Sequence, residues 1–357
     1  MRIAGIMSGT SLDGIDVAII EMRGRRIETI GFESRPYPEE VRRAILGVSN
    51  TTTTTGEISR LNYRLGELYA QAVAHACKRF GPVELIGCHG QTIYHEGRRN
   101  TLQIGEGAVI AERIGVPVVS DFRARDIAAG GEGAPLVPFL DYLVYRHPRR
   151  TRVALNLGGI GNITVIPRGA AAEQVVAFDT GPGNMVIDQL VQEYTGGKQK
   201  FDRGGKIARA GEVDRKLLNR LLRDPYYRRK PPKSAGREQY GAEFVARMKQ
   251  SGASLRDLIT TATVLTAATV AMGATPYGPD ELIVSGGGAH NPEILGHLAA
   301  FLPGTAIATS ADYGIDIDGK EAIAFAVMAY ETWHRRPANV PSATGARRAV
   351  VLGKISY

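Results

Sequence analysis

The chain has 357 residues, 43% hydrophobic and 22% charged, with a net charge of +8 and two cysteines. That length and balance allow two ordinary domains with a core each, and they exclude a disordered chain or a disulfide scaffold. No continuous apolar run reaches the ~18 residues of a membrane span. The first residues lack the basic-then-apolar pattern of an export leader. The expectation is therefore a soluble, cytoplasmic protein with no membrane contact.

Three β-like runs open the chain, at residues 2–8, 15–22 and 26–34, joined by short Gly-containing turns that predict an antiparallel meander. The threonine run 51–55 predicts a loop that caps a long helix, whose apolar face carries Ile58, Leu61, Leu65, Leu68, Ala72 and Val73 and which ends at Gly81-Pro82. Strands follow at 84–90 and 101–105, then a short helix at 107–114 and a strand over "PVVSDF" (117–122). Cys77 falls in the predicted helix and Cys88 in a predicted strand, without metal-ligand spacing, so both are expected to be buried free thiols. The stretch "AGGEGAPLVP" interrupts both periodicities and is the best domain boundary. Beyond it the plan restarts with strand, Gly-rich turn and strand over "RVALNLGGIGNITVIP" and a strand over "QVVAFDTGPGN". Helical patterns cover 184–194, roughly 205–222, 240–250 and 254–273. "ELIVSGGGAHNPEIL" reads as a strand, a triple-Gly turn and a helix capped by Asn291 before Pro292. A helix over 319–334 and a closing strand within "AVVLGKIS" complete the chain. Two similar halves of an α/β protein are the result.

Chemistry concentrates in the turns. Tight Gly turns between strands leave N–H groups open to a phosphate. The first holds Gly9, Thr10, Ser11, Leu12, Asp13, Gly14, Ile15 and Asp16, whose Asp13 and Asp16 could hold Mg²⁺. The second holds Gly158, Gly159, Gly161, Asn162 and Thr164. The third, Gly286, Gly287 and Gly288, offers backbone without side chains to a flat adenine ring. None is a P-loop or a dinucleotide fingerprint. Asp179 stands at the C-terminal end of a predicted strand before a Gly-rich helix start, where it could act as a general base or simply cap that helix. His89, Gln91 and Thr92 follow one strand and Asp121, Phe122 and Arg123 another, while Arg123, Arg125 and Asp126 could pair merely to fix their loop. Glu321 starts a helix, where its charge also suits the dipole. From Arg223 to Arg237 six cations face one aspartate around Tyr226 and Tyr227. That loop reads as a solvated or subunit contact, a clamp for a small anion, or more weakly a nucleic-acid site.

The blocks "GIMSGTSLDGIDVAI", "CHGQT", "DFRARDIAAGGEGAPLVP", "NLGGIGNIT", "FDTGPGN", "PPKSAGRE", "SGGGAHNP" and "KEAIAFA" together make the chain similar, over nearly its whole length, to the bacterial anhydro-N-acetylmuramic acid kinases. The resemblance implies the actin, Hsp70 and sugar-kinase fold, with two ribonuclease-H-like α/β domains and ATP in the cleft between them. It places them at residues 1–133, with 319–357 packing back, and 134–318, with helical insertions. It implies ATP and Mg²⁺ as cofactors, the latter on Asp13, with Gly9 to Asp16, Gly158, Gly159 and Asn162 on the phosphates and Gly286 to Gly288 on adenosine. It implies Asp179 as the catalytic base, Gln91, Thr92, Arg125, Asp126 and Glu321 facing 1,6-anhydro-N-acetylmuramic acid, and a homodimer in cell-wall recycling that binds neither nucleic acid nor membrane. Two positions depart from the family pattern: Glu132, where "GGQGAP" is usual, and Asp141, where a histidine is usual. Another sugar kinase or ATPase of this fold is the nearest rival, and a nucleotide-gated interaction protein a more distant one.

Overall fold

The computed structural model describes every residue except Thr10, Ser11 and Asp13, together with the side chain of Arg237. The chain forms two compact units, Met1–Leu143 with Gly314–Tyr357, and Val144–Tyr313. The first unit therefore keeps the segment 134–143 beyond the boundary expected at 133 and takes the chain back at Gly314 rather than at 319. The reason is local: Asp141 is fixed inside the first unit by an ion pair to Lys320.

In chain order the first unit begins with β1 (Arg2–Ser8), β2 (Gly14–Arg23), β3 (Arg26–Pro36), α1 (Glu39–Val48) and α2 (Thr55–Phe80). It continues with β4 (Leu85–Glu96), β5 (Asn100–Ile104), α3 (Gly107–Ile114), β6 (Val118–Ser120), α4 (Phe122–Ala128) and α5 (Pro138–Tyr145). The second unit holds β7 (Arg152–Leu157), β8 (Ile160–Ile166), β9 (Val176–Pro182), α6 (Asn184–Tyr194), α7 (Lys206–Ala210), α8 (Arg215–Leu221), α9 (Arg237–Tyr240) and α10 (Ala242–Lys249). It ends with α11 (Leu255–Ala274), β10 (Glu281–Ser285), α12 (Pro292–Phe301) and β11 (Ala306–Thr309), after which α13 (Lys320–Trp333), α14 (Pro341–Thr344) and β12 (Lys354–Ser356) return to the first.

Each unit is built on one sheet. The first has the order β12-β6-β4-β1-β2-β3, with β5 paired to β4, and the second β11-β10-β7-β8-β9. In both, the first three strands form an antiparallel meander and two later strands run parallel to the first of them, β4 and β6 to β1 and β10 and β11 to β7, while β5 and β12 add antiparallel to β4 and β6. The repeated order is the ribonuclease-H-like plan, duplicated. β1 is buried along nearly its whole length because helices cover both faces. On one of them α13 lies with its backbone directly on the sheet: a Cβ on Gly5 would strike the carbonyl of Ala322, and one on Gly87 that of Phe325.

Several expectations need correction. The α-helix α1 was not expected, although Val41, Ile45 and Val48 recur at helical spacing on its buried side. The strand over 117–122 ends at Ser120, because Asp121 takes a left-handed conformation (φ 57°) and starts α4. The helix expected over 205–222 is two, α7 and α8, broken at Gly211 and restarted by the Asp214 cap on the Leu217 amide. The closing strand is only three residues, following Gly353 at φ 80°. One helical stretch, Leu255–Tyr277, is long and apolar enough to cross a membrane by length and composition, which the interleaved threonines had obscured. It is the core helix of the second unit, with 89% of its most apolar window buried. Its threonines are tolerated there because their hydroxyls donate to carbonyls: Thr263 to Ile259, Thr269 to Thr266 and Thr266 to Gly183.

Candidate active site

The second unit brings two of the three Gly turns together. The β7–β8 turn places Gly158 and Gly159 against the start of α6, where Gly183 and Asn184 donate main-chain N–H groups to the carbonyls of Gly159 (3.0 Å) and Gly158 (2.8 Å). The Asn184 amide donates to the Leu157 carbonyl at 3.0 Å. Gly286, at φ 79°, turns the chain out of β10 so that Gly288 packs on Leu157 and Gly287 faces the Asn184 amide. At Gly158 and Gly287 a side chain would meet nothing closer than 3.6 Å, so backbone is left open to a ligand. The first N–H groups of α6 are thus taken by the β7–β8 turn, and what is left open for phosphate and an aromatic base is the backbone of the two bare turns themselves. Gly9 and Leu12 close the corresponding turn in the first unit through a 3.2 Å hydrogen bond, with Leu12 at φ 58°. The assignments to Thr10, Ser11 and Asp13 lie outside the described residues.

Asp179 faces Asn162 across the β8–β9 pair, immediately before a register shift that leaves Thr180 as an extra residue. Such bulges re-aim the neighbouring side chain. Thr180 donates to the Gly161 carbonyl and Gly181 adopts φ 154°. The strand continues to Pro182, so Asp179 is set by the bulge rather than by the strand's end. Nor does it cap α6, whose N-cap is Gly183 with no side-chain bond. Its Oδ2 instead accepts from the Ala235 amide at 2.9 Å. Burial drives its carboxyl up to about 6, against the opposing pull of that amide and of Lys233. A carboxylate with that proton affinity is mostly ionised at neutral pH yet binds a proton more readily than an ordinary aspartate, as a general base should.

In the first unit the polar set is partly inward. Gln91 is 1% exposed and receives the Ser8 hydroxyl proton at 2.5 Å, while Ser8 also bonds Tyr37. Thr92 accepts from the Gln103 amide. Asp126 is fully buried, accepting from the Gly133 amide, Asn339 and Thr344, and so fixes the 126–133 loop. Arg125 is exposed on the last turn of α4. The cation the structure places centrally is Arg123, which donates to His89 Nε2 at 3.0 Å and to the Gly133 carbonyl at 2.8 Å. Burial and then Arg123 hold His89 well below its usual range, leaving it neutral with Nδ1 donating to the Gly90 carbonyl. Glu321 is pushed up by burial, with Arg123 pulling it down and Asp16 opposing. The sequence signal for Arg123 was the "DFRARD" block itself, in which two arginines compete and only the fold says which is half-buried against His89. Both departures from the family pattern are answered by cations: Glu132 pairs with Arg98 at 2.6 Å and Asp141 with Lys320 at 2.7 Å.

The basic loop turns inward too, with Tyr226, Tyr227 and Lys233 all buried, which removes the aromatic and one cation from any polynucleotide surface. A cavity of about 1000 Å³ lined by Val176, Phe178, Tyr227, Met272, Tyr277 and Phe301 opens on the face of β9 opposite Asp179. Its walls are mainly apolar and also include Arg228, Arg229, Lys230 and Lys233.

The family model described as anhydro-N-acetylmuramic acid kinase matches residues 1–357. The chain belongs to the anhydro-N-acetylmuramic acid kinase family. A relative of that name from Caldanaerobacter subterraneus subsp. tengcongensis is 44% identical over 381 residues, covering 99% of this chain and 96% of its own. Another of that name, from Bacillus cereus, is 42% identical over 383 residues, covering 100% and 99%. Among solved structures, the activator of the 2-hydroxyisocaproyl-CoA dehydratase from Clostridium difficile, with bound ADPNP, is similar at 13% identity and a TM-score of 0.46, covering 93% of this chain and 95% of that one. That likeness is too distant to bear on ligands, and family membership rests on the sequence relatives.

Proposed function

We propose that the chain uses ATP to open the 1,6-anhydro bridge of 1,6-anhydro-N-acetylmuramic acid and to phosphorylate O6, giving N-acetylmuramic acid 6-phosphate and ADP. The observation that carries this reading is Asp179, fixed at a bulge with its carboxyl near 6. In a common sugar kinase the base takes a proton from the accepting hydroxyl, but here O6 is locked to C1. A water must attack C1, so its proton passes to Asp179 as the C1–O bond forms. The C1–O6 bond breaks with its electron pair on O6. O6 then attacks the γ-phosphorus and the bond to the ADP oxygen breaks. The N–H groups of the paired Gly turns would stabilise phosphate charge, with the Gly286–Gly288 backbone under adenine.

Magnesium supplies charge neutralisation between phosphates when bound. Among the described residues no group of three or more His, Cys, Asp or Glu could hold a metal by itself. Such an ion is commonly held by phosphate and water with one or two carboxylates, which Asp13 and Asp16 would supply. We read Gln91 and Asp126 as shaping the sugar site and Thr92, Arg125, Arg123 and Glu321 as its candidates for contact. A cytoplasmic homodimer is part of the same reading.

ADP release should be stimulated by the anhydro sugar and not by N-acetylmuramic acid or glucose; no stimulation removes the assignment. In ¹⁸O-water the label should appear at C1, and label found only in phosphate refutes attack on the bridge. Asp179→Asn should lower kcat by roughly 10² or more with ATP still bound, and a variant within tenfold of wild type takes Asp179 out of its role.

A further inference from the structure

We propose that Lys233 is a positioning residue for Asp179, holding it from the basic loop by both its main chain and its buried ammonium; this rests on Asp179 being the base. β9 is the outer strand of its sheet, and the loop after the 225–228 turn lies along that edge. The Lys233 carbonyl accepts the Asp179 N–H at 3.2 Å, and two residues later the Ala235 N–H reaches Oδ2 at 2.9 Å. Both contacts fall on Asp179.

The side chain of Lys233 closes a ring back to the same residue. Its Nζ donates to the carbonyls of Tyr226 (3.2 Å) and Tyr227 (3.3 Å), and it lies 4.8 Å from the centroid of the Tyr226 ring and 5.4 Å from that of Phe178. Tyr226 in turn donates its hydroxyl to the Asp179 carbonyl at 2.8 Å. Lys233 is only 8% exposed, and among the described residues it makes no ion pair. A buried ammonium solvated by two carbonyls and two rings is itself costly to bury, and an apolar side chain of equal length would remove that cost while taking a donor from two carbonyls. The charge also favours the ionised form of Asp179, adding to the pull of the Ala235 amide against burial. The other groups facing Asp179 are Tyr226 and Tyr240, and Arg229 acts on Tyr226 and Lys233. Burial raises both tyrosines well above their usual range, so they stay neutral across an assay and Lys233 is the buried charge that matters.

The sign follows. Without the Lys233 charge the Asp179 carboxyl rises further, so the base is lost at a higher pH. Kinetics from pH 5 to 9 on wild type, Lys233→Met, Lys233→Arg and Tyr226→Phe test this. Lys233→Met should fold with a modestly lower melting temperature, keep both KM values within about threefold, lower kcat at pH 6.5 by about threefold, and move the acid limb up by about one pH unit. Lys233→Arg should return the limb toward wild type. An unmoved limb in Lys233→Met overturns the proposal, and so does an effect confined to the sugar KM, which would make Lys233 a substrate clamp. If Lys233→Met does not fold, Tyr226→Phe decides: it keeps every charge, so kcat should fall about threefold with the limb unmoved, and an unchanged kcat overturns the ring. Carbon-13 NMR of labelled aspartate reads the Asp179 titration without turnover, which separates failure here from an enzyme that does not use the anhydro sugar.

Discussion

Asp179 carries a cost that its role explains. Its folded carboxyl stands near 6 against an ordinary 3.8 because burial disfavours the charge. For an acid raised in this way the penalty is absent below the unfolded value and fully present above the folded one. Folding therefore loses stability as pH rises from about 4 to about 6, on the order of 3 kcal/mol for a group that is mostly buried. Asp179→Asn should consequently melt higher than wild type at pH 8 and lose that advantage near pH 4, the reverse of its effect on turnover. Thermal melts at the two pH values check this, and an Asn variant less stable at pH 8 would mean that the Ala235 amide and Lys233 outweigh burial.

At the scale of elements, the glycines divide into those that shape the site and those that expose it. A Cβ on Gly183 would collide with the carbonyl of Gly158 and press within 3.1 Å of Ile160 and Gly161, all backbone. Gly183→Ala should thus push α6 from the β7–β8 turn, destabilising the protein by about 1–3 kcal/mol and weakening nucleotide binding together. Gly287 has φ in the ordinary range and only the Asn184 amide at 3.6 Å. Gly287→Ala should leave the melting temperature unchanged while raising the ATP KM, and an unchanged KM would show that adenosine does not lie on that turn. The sequence marked these turns because their chemistry is local: strand, Gly run and helix start stand side by side in "FDTGPGN" and "SGGGAHNP". It could not mark the bulge at Thr180, since an extra residue is defined by what the neighbouring strand does. For the same reason Arg123 and Arg125 looked alike, whereas α4 turns one inward and leaves the other exposed. Gln91 and Asp126 were legible as polar residues in chemical company, and their inward bonding depends on Ser8, Asn339 and Thr344, far away in the chain.

Across the whole molecule, the chain leaves its first unit after Leu143 and returns at Gly314, and the ion pair closest to both passages is Asp141–Lys320. Asp141 lies in α5, near the point of departure, and Lys320 is the first residue of α13, whose backbone supports β1 and β4 and whose next residue is Glu321. The pair is 2.7 Å apart and both members are at most 3% exposed. Removing one partner leaves the other charged in a low dielectric, a loss of about 3–5 kcal/mol, whereas replacing both with apolar groups is close to neutral. Asp141→Ala and Lys320→Met should each lower the melting temperature strongly, and Asp141→Leu with Lys320→Met should recover most of it. Turnover separates stability from placement. If the pair also sets where α13 begins, the double variant will fold normally yet turn over more slowly, because Glu321 moves with the helix start. A double variant with wild-type kcat would confine the pair to holding the two passages of the chain together.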